Sequence, residues 1–325
     1  MEALVVDAGS KLLKAGAAIP DQSPPMLIPS QMKRMVDNGD VSSSAVTVLE
    51  DVTLLDPIER GFIRDWDATE DLLSYVVYTG LGWEEGNEGN ILFTDPLYTP
   101  KAIREQLVQL MFETFNVSGF YASEQAVLSL YGAGRISGCT VDIGHGKIDI
   151  APVLEGAVQH IASYASCAED EIAYEKTQNC EIELHTLPDG QVISIGRERF
   201  SVGEALFQPS ILGLEEHGIV EQLVRIISTV SSENHRQLLE YTVLCGGTTS
   251  MTGFEGRFQK EANLCSSAIR PMLVKPPEYM PESLGLYSAW VGGAILAKVV
   301  FPQNQHVTKA DYDETGPSVV HRKCF

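Results

Sequence analysis

Two short segments of this 325-residue chain carry residue types that could hold a phosphate chain and its counter-ion. Leu4-Val5-Val6-Asp7-Ala8-Gly9-Ser10 and Val141-Asp142-Ile143-Gly144-His145-Gly146 each run from apolar residues to an aspartate and, two positions on, a glycine. The second continues as Lys147-Ile148-Asp149-Ile150, alternating polar and apolar as a half-buried strand does. Glycine lets the backbone turn tightly and approach a phosphate closely. Successive backbone N–H groups in such a bend form an anion-binding concavity. Asp7 and Asp142 would hold a hydrated magnesium ion through water, because magnesium prefers oxygen ligands and keeps several waters. A single Asp-x-Gly is more simply an ordinary β-turn. Two copies in matching apolar context bring the phosphate-clamp reading level with the turn reading and point to a duplicated domain.

Other elements must position these two bends. Residues 4–19 read as a strand pair, and residues 20–60 as a Pro-, Ser- and Asp-rich stretch in which 37–44 is an exposed loop. Thr99-Pro100 is expected to open a helix, with a cap residue and proline at the first helical position. That helix would bury Ile103, Leu107, Leu110, Met111 and Phe115. A second helix is expected from about Ser123 to Tyr131, leading into the second hairpin. Residues 164–176 are charged and have a poor apolar stripe, and Leu187-Pro188-Asp189-Gly190-Gln191 reads as a turn before a strand over 192–195. Ile219, Val220, Leu223, Ile226, Ile227 and Val230 mark a further buried helical face. Thr242–Gly247 reads as a strand ending in a diglycine turn, and Tyr287–Phe301 as an apolar helix with Gly292-Gly293 inside it. Glycines there cost helix stability, and close packing against backbone is a reason to keep them.

Composition narrows the function. The length fits two domains with a sizeable core, and 44% apolar residues with a mean hydropathy of −0.01 fit a soluble globular protein. A net charge of −21 argues against direct nucleic-acid binding and against docking on an anionic membrane, and suits basic protein partners. Cys139, Cys167, Cys180, Cys245, Cys265 and Cys324 show no metal-ligand spacing and read as reduced, mostly buried small hydrophobes. No secretory signal or membrane-spanning run is legible.

Several runs resemble the actin superfamily: Met111-Phe112-Glu113-Thr114-Phe115-Asn116, Gln125–Tyr131, Leu187–Val192, Ala205–Ser210, and the tail from Gly316-Pro317-Ser318 to His321-Arg322-Lys323-Cys324-Phe325. Within it, Gly80–Asn87 and the extended Glu278–Leu286 segment are similar to the plant nuclear class of actin-related proteins. The resemblance implies a duplicated α/β actin-like (ribonuclease H-like) ATPase fold, two halves around a nucleotide cleft. Residues 1–132 with 288–325 would form the first half, 29–57 being its small outer subdomain. Residues 133–287 would form the second, 164–212 being the remnant of a truncated outer subdomain. After Ser163 the family continues with a long helical block, whereas here Tyr164 follows directly.

Carried over by resemblance, Asp7, Gly9, Ser10 and Lys14 fall in the first phosphate segment, and Asp142, Gly144 and Gly146 in the second. Gln125 falls where the family orients the attacking water, Gly246, Gly247 and Thr248 lie against the nucleoside, and Tyr287 falls near the adenine. Three residues depart from the pattern. Lys11 replaces a loop glycine, His145 replaces an aspartate, and Leu286 stands where the family has a lysine. Imidazole cannot organise magnesium as a carboxylate does, so hydrolysis should suffer more than binding. ATP or ADP with magnesium would be held weakly or not at all, and Gln125 and Asp142 are the only catalytic candidates. The resemblance implies a non-filamentous nuclear structural subunit of ATP-dependent chromatin-remodelling complexes. Its partners would be actin or another actin-related protein and a helix of the remodeller ATPase, with no direct nucleic acid and no membrane. The nucleus is the expected location and the cytoplasm a second one. Two alternatives stand beside this reading: an active ATPase of the actin/sugar-kinase superfold, and a filament-forming cytoskeletal actin. Cys245 is expected to be a packed strand-end residue, and Lys147 a solvated charge.

Overall fold

The computed structural model describes residues 3–35, 52–159, 183–186, 192–195, 203–265, 270–275, 277, 278, 280 and 284–324. The loop expected at 37–44, the charged stretch at 164–176, the turn at 187–191, Cys167 and Cys180 lie outside the described residues.

The duplication seen in the sequence is a duplication of topology. In the larger sheet, Leu4–Ala8 pairs antiparallel with its hairpin partner Leu12–Ala17 and parallel with Asn90–Asp95 on its other edge. In the smaller sheet, Gly138–Ile143 pairs antiparallel with Ile148–Leu154 and parallel with Thr242–Cys245. A third antiparallel strand extends each hairpin, Met26–Pro29 in one and Ala157–Val158 in the other. The first sheet is completed by Gly119–Glu124 and, from the far end of the chain, Val307–Thr308. All five residues of Leu4–Ala8 are buried, the pattern of a central strand covered on both faces. The expectation of an α/β actin-like fold with two related sheets holds.

Helix boundaries follow the expected faces with small corrections. The helix after Thr99 spans Lys101–Gln109, with Pro100 itself in the cap position at ψ 140°. Thr99 does not cap it; its hydroxyl donates to Pro96 O at 2.8 Å. The second helix is Gln125–Gly132, because Ser123 and Glu124 still belong to the strand Gly119–Glu124. Helix Ile219–Ser228 buries Ile219, Val220, Leu223, Ile226 and Ile227 against the second core, with Val230 packed at its margin. The apolar helix begins at Leu284 and runs to Val300, so the expected boundary between halves at 287–288 falls inside a continuous element. No described helix is long and apolar enough to cross a membrane.

The helix pair Gln125–Gly132 and Leu284–Val300 ties the two halves together. Leu128 packs in the large core with Val5, Leu92 and Trp290, whereas Val127 and Leu130 on the same helix pack with Val153 and Val243 of the second sheet. A Cβ on Gly292 would overlap the carbonyl of Leu128, and one on Gly132 would lie 2.7 Å from Ser288 O. The Ser288 hydroxyl donates to the Ser129 hydroxyl at 3.0 Å, and the Trp290 indole N–H donates to Val5 O at 3.2 Å. Backbone-to-backbone approach this close is what the internal glycines permit. Gly292→Ala should therefore destabilise by about 1–3 kcal/mol through overpacking against an unyielding carbonyl. Gly256→Ala, in the exposed turn of helix Phe254–Leu264 with nothing within 4 Å, should instead gain a fraction of a kcal/mol. Denaturant unfolding of both variants checks the contrast.

Candidate functional site

The first hairpin delivers Asp7 to the end of its strand, where three side chains converge on the carboxylate. Lys14, its cross-strand partner, pairs with Oδ2 at 2.8 Å. Thr94, at the end of the neighbouring parallel strand, donates to Oδ1 at 2.7 Å, and Gln125 Nε2 donates to the same oxygen at 2.9 Å. Burial alone would raise the Asp7 carboxyl, but the Lys14 charge and the hydrogen bonds from Lys14, Thr94 and Gln125 outweigh it and hold it below its usual value. Asp7 is thus a fixed negative charge.

The loop beyond Asp7 is pinned by its own carbonyls. Gly9 N donates to Leu12 O at 3.2 Å, and a Cβ at Gly9 would sit 2.9 Å from that oxygen. The Ser30 hydroxyl donates to Gly9 O at 2.6 Å, and Ser10 Oγ accepts from Gly61 N at 2.7 Å. Lys11 is exposed, so its bulk is accommodated by turning the side chain outward.

The second hairpin is built alike but charged differently. Asp142 stands opposite Asp149, where the first hairpin has lysine opposite aspartate. Lys147 bonds Asp149 and is mostly buried, so it is not the solvated charge expected of it. Burial, opposed by Lys147 and reinforced by Asp149, raises the Asp142 carboxyl to about 6. Lys14 and Asp7 also act on it, so the two hairpins face each other closely enough to share a field. His145 is exposed at the tip.

The diglycine turn closes against the second loop. Gly246 has φ +90°, and a Cβ there would overlap Asp142 Oδ1 and Ile143 O, so only glycine fits. Gly246 N donates to Gly285 O at 3.0 Å, and the Thr248 hydroxyl reaches Gly144 O at 3.4 Å. Leu286 lies over Gly247, its Cδ1 3.6 Å from where a Cβ would be. Tyr287, the next residue, is half-buried and packs against the large core. A cavity of about 430 Å³ adjoins this turn, lined by Thr249, Ser250, Met251, Gly256, Gln259 and Leu273, with no phosphate-loop residue in its wall. Burial, with the Asp142 charge added, pushes the Cys245 thiol well up, which fits a packed strand-end residue.

The structure therefore gathers Asp7, Gly9, Ser10, Lys14, Gln125, Asp142, Gly144, Gly146, Gly246, Gly247 and Thr248 at the facing ends of two sheets, with Tyr287 at the margin. Sequence reasoning missed Thr94, Ser30 and the turn at Gly61. None has a local signal, because strand pairing and loop approach alone bring them to the loops.

The chain belongs to the actin family, whose pattern it matches over residues 1–168 and again over 162–325. It is 82% identical to Actin-related protein 7 of Arabidopsis thaliana and 65% identical to Actin-related protein 7 of Oryza sativa subsp. japonica, over the full length of both chains in each case. It is 30% identical to Actin-like protein 7B of Rattus norvegicus, of which it covers 88%. The alignment with the Arabidopsis relative runs over 364 positions against 325 residues, so about 39 positions face no residue of this chain. The two family matches meet at 162–168, where the sequence skips a block.

A pH dependence follows from Asp142. Its folded-state value lies above that of an unfolded aspartate, so folding disfavours the ionised form. The stability it contributes is complete below about pH 4 and is lost as pH rises to about 6 and beyond. Asp142→Asn should match wild type near pH 4 and exceed it by on the order of 2 kcal/mol at pH 7.5, read from urea unfolding at the two pH values.

Proposed function

We propose that this chain is a non-filamentous actin-related protein that serves as a structural subunit of ATP-dependent chromatin-remodelling complexes in the nucleus, with the cytoplasm as a second location. The observation that carries the reading is an altered phosphate site on an otherwise actin-like frame. The first loop keeps Asp7, Gly9 and Lys14 but carries Lys11 in place of a second glycine, and the second presents an exposed imidazole, His145, where the family has a carboxylate.

The residues fit a nucleotide phosphate chain better than they fit a directly ligated metal. The Gly9 and Gly246 bends leave room only for backbone, and Lys14 stands beside Asp7. No cluster of three or more metal-ligating side chains occurs among the described residues. Magnesium would be held at one remove, through waters facing Asp7 and Asp142. When bound, magnesium ATP would bring a polarised γ-phosphate. Here Asp7, Lys14, Ser10 and the backbone of Gly9, Gly144 and Gly146 would orient the phosphates, and Gly246, Gly247, Thr248 and Tyr287 would border the nucleoside. Gln125, which elsewhere in the family orients water, spends its amide on Asp7 and Thr94.

A steady-state phosphate-release assay should give turnover far below one per second, the low end of ordinary enzymes, and His145→Asp should not restore it. The partner of choice is a basic amphipathic helix of the remodeller ATPase, bound beside actin or another actin-related protein. Apolar side chains stay accessible on the junction helices and beyond them, Tyr131, Ile295 and Leu296 in part, Val299 at 43% and Ile136 at 63% exposure. Helix-in-groove binding reads such anchors, and the charge of −21 attracts a basic helix and repels duplex DNA. A pull-down with remodeller helices should capture the chain while a gel shift at physiological salt shows no duplex binding. Binding to bare duplex without helix binding would refute the scaffold reading.

A further inference from the structure

Between the two phosphate loops lies a turn that the resemblance left without a role. Ile58–Glu59 and Phe62–Ile63 form a minimal hairpin whose two loop residues are Arg60 and Gly61. Both have positive φ, +50° and +83°. Two-residue loops with both residues left-handed favour Asn-Gly, Asp-Gly or Gly-Gly, because a Cβ there crowds the following carbonyl, a cost that glycine escapes and that Asn and Asp offset by local hydrogen bonds. A long-chain arginine at the first position is a poor choice for the turn itself, and strain of this kind points to a function.

The position of the turn supplies one. Gly61 N is bonded to Ser10 Oγ of the first loop. On its other side, Lys147 Nζ lies 3.1 Å from where a Cβ on Gly61 would be, and 5.8 Å from the Phe62 ring centroid. Arg60 Cγ lies 3.5 Å from where a Cβ on Gly146 would be. The turn thus touches both loops, and its arginine starts over the glycine of the second. Lys14 is matched by Asp7 and Lys147 by Asp149. Arg60 is exposed and makes no ion pair or hydrogen bond among the described residues. It therefore adds an uncompensated positive charge to the rim of the cleft, in a protein whose net charge is −21.

We propose that Arg60 is a phosphate-binding residue, one whose guanidinium supplies part of the charge neutralisation otherwise left to magnesium, so that the site takes a polyphosphate with little dependence on divalent cation. The proposal rests on reading the two hairpins as a phosphate site. Guanidinium presents a planar fork of donors that matches phosphate oxygens. Removing one charged hydrogen-bonding partner of this kind costs roughly ten- to a hundredfold in affinity.

The test is calorimetric titration of tripolyphosphate and of ATP into the full chain, each in excess magnesium and in EDTA, with Arg60→Asn and Arg60→Lys. Asparagine suits the turn better than arginine, so Arg60→Asn should melt at the same temperature or higher while losing at least about tenfold in affinity for both probes. Arg60→Lys should retain part of it. Wild type should lose less than about tenfold on moving from magnesium to EDTA. Equal binding by Arg60→Asn and wild type would overturn the proposal, as would a loss of a hundredfold or more in EDTA, or no tripolyphosphate binding by wild type. Arg60-dependent binding of tripolyphosphate without binding of ATP would uphold the role of Arg60 and remove the nucleotide reading instead.

Discussion

Two helices that approach until backbone meets backbone hold the rest of this molecule in place. At Gly292 and Gly132 the contact is with carbonyl oxygens, which cannot rotate away as a side chain tip can. That fixes helix Gln125–Gly132 against Leu284–Val300, and with them both sheets, since each helix contributes to the packing of a hairpin. Leu128 faces one core and Leu130 the other, while Gly293 lies against Val5 of the first Asp-bearing strand, 2.9 Å from the position of its added Cβ to Val5 Cγ1. The helix glycines cost intrinsic propensity, and the packing they allow more than offsets that cost. Gln125, at the start of the first helix, is carried directly onto Asp7 by the same arrangement.

The duplication makes the charge differences between the hairpins interpretable. Corresponding strands, registers and bends differ chiefly in what stands across from the aspartate. Lysine opposite Asp7 gives a low, permanently ionised carboxylate. Aspartate opposite Asp142 gives one that is raised into the range near 6 and leans on Lys147 at second hand. The site thus pairs one firm carboxylate with one reluctant one and carries an exposed imidazole at the second tip.

One ion-pair and ring cluster organises the described part of the second half after residue 203. Arg257 binds Glu204 with two nitrogens, at 3.1 and 2.9 Å, reaches Glu261 at 2.5 Å, and stacks 4.6 Å over the Phe207 ring. Phe207 in turn packs on Phe254. Residues 203–212 are thereby docked on helix Phe254–Leu264, whose Phe258 packs in one core with Val141, Ile150 and Leu223.

Local chemistry was enough to read both hairpins, the helix faces at 101–115 and 219–230, the diglycine turn and the packing role of Gly292, because apolar period, glycine bends and strand alternation act within a few residues. The short edge strands Met26–Pro29, Met32–Met35 and Val52–Leu55 were not legible. Each is too short for its period to register, and is a strand only because a neighbour offers it free N–H and C=O groups. Thr94 and Ser30 could not be found from the sequence either, since their contacts with Asp7 and Gly9 span 87 and 21 residues. Lys147 looked like a surface charge because its partner Asp149 lies two positions on, a spacing that in a strand puts both on one face. Whether that face was wet or covered depended on the Arg60–Phe62 turn, which reaches it from across the chain. Residue types and short spacings thus determine which groups stand at the two bends. Which of them are neutralised, buried or left charged is set by contacts between segments far apart in sequence, where burial and neighbouring charge decide the outcome.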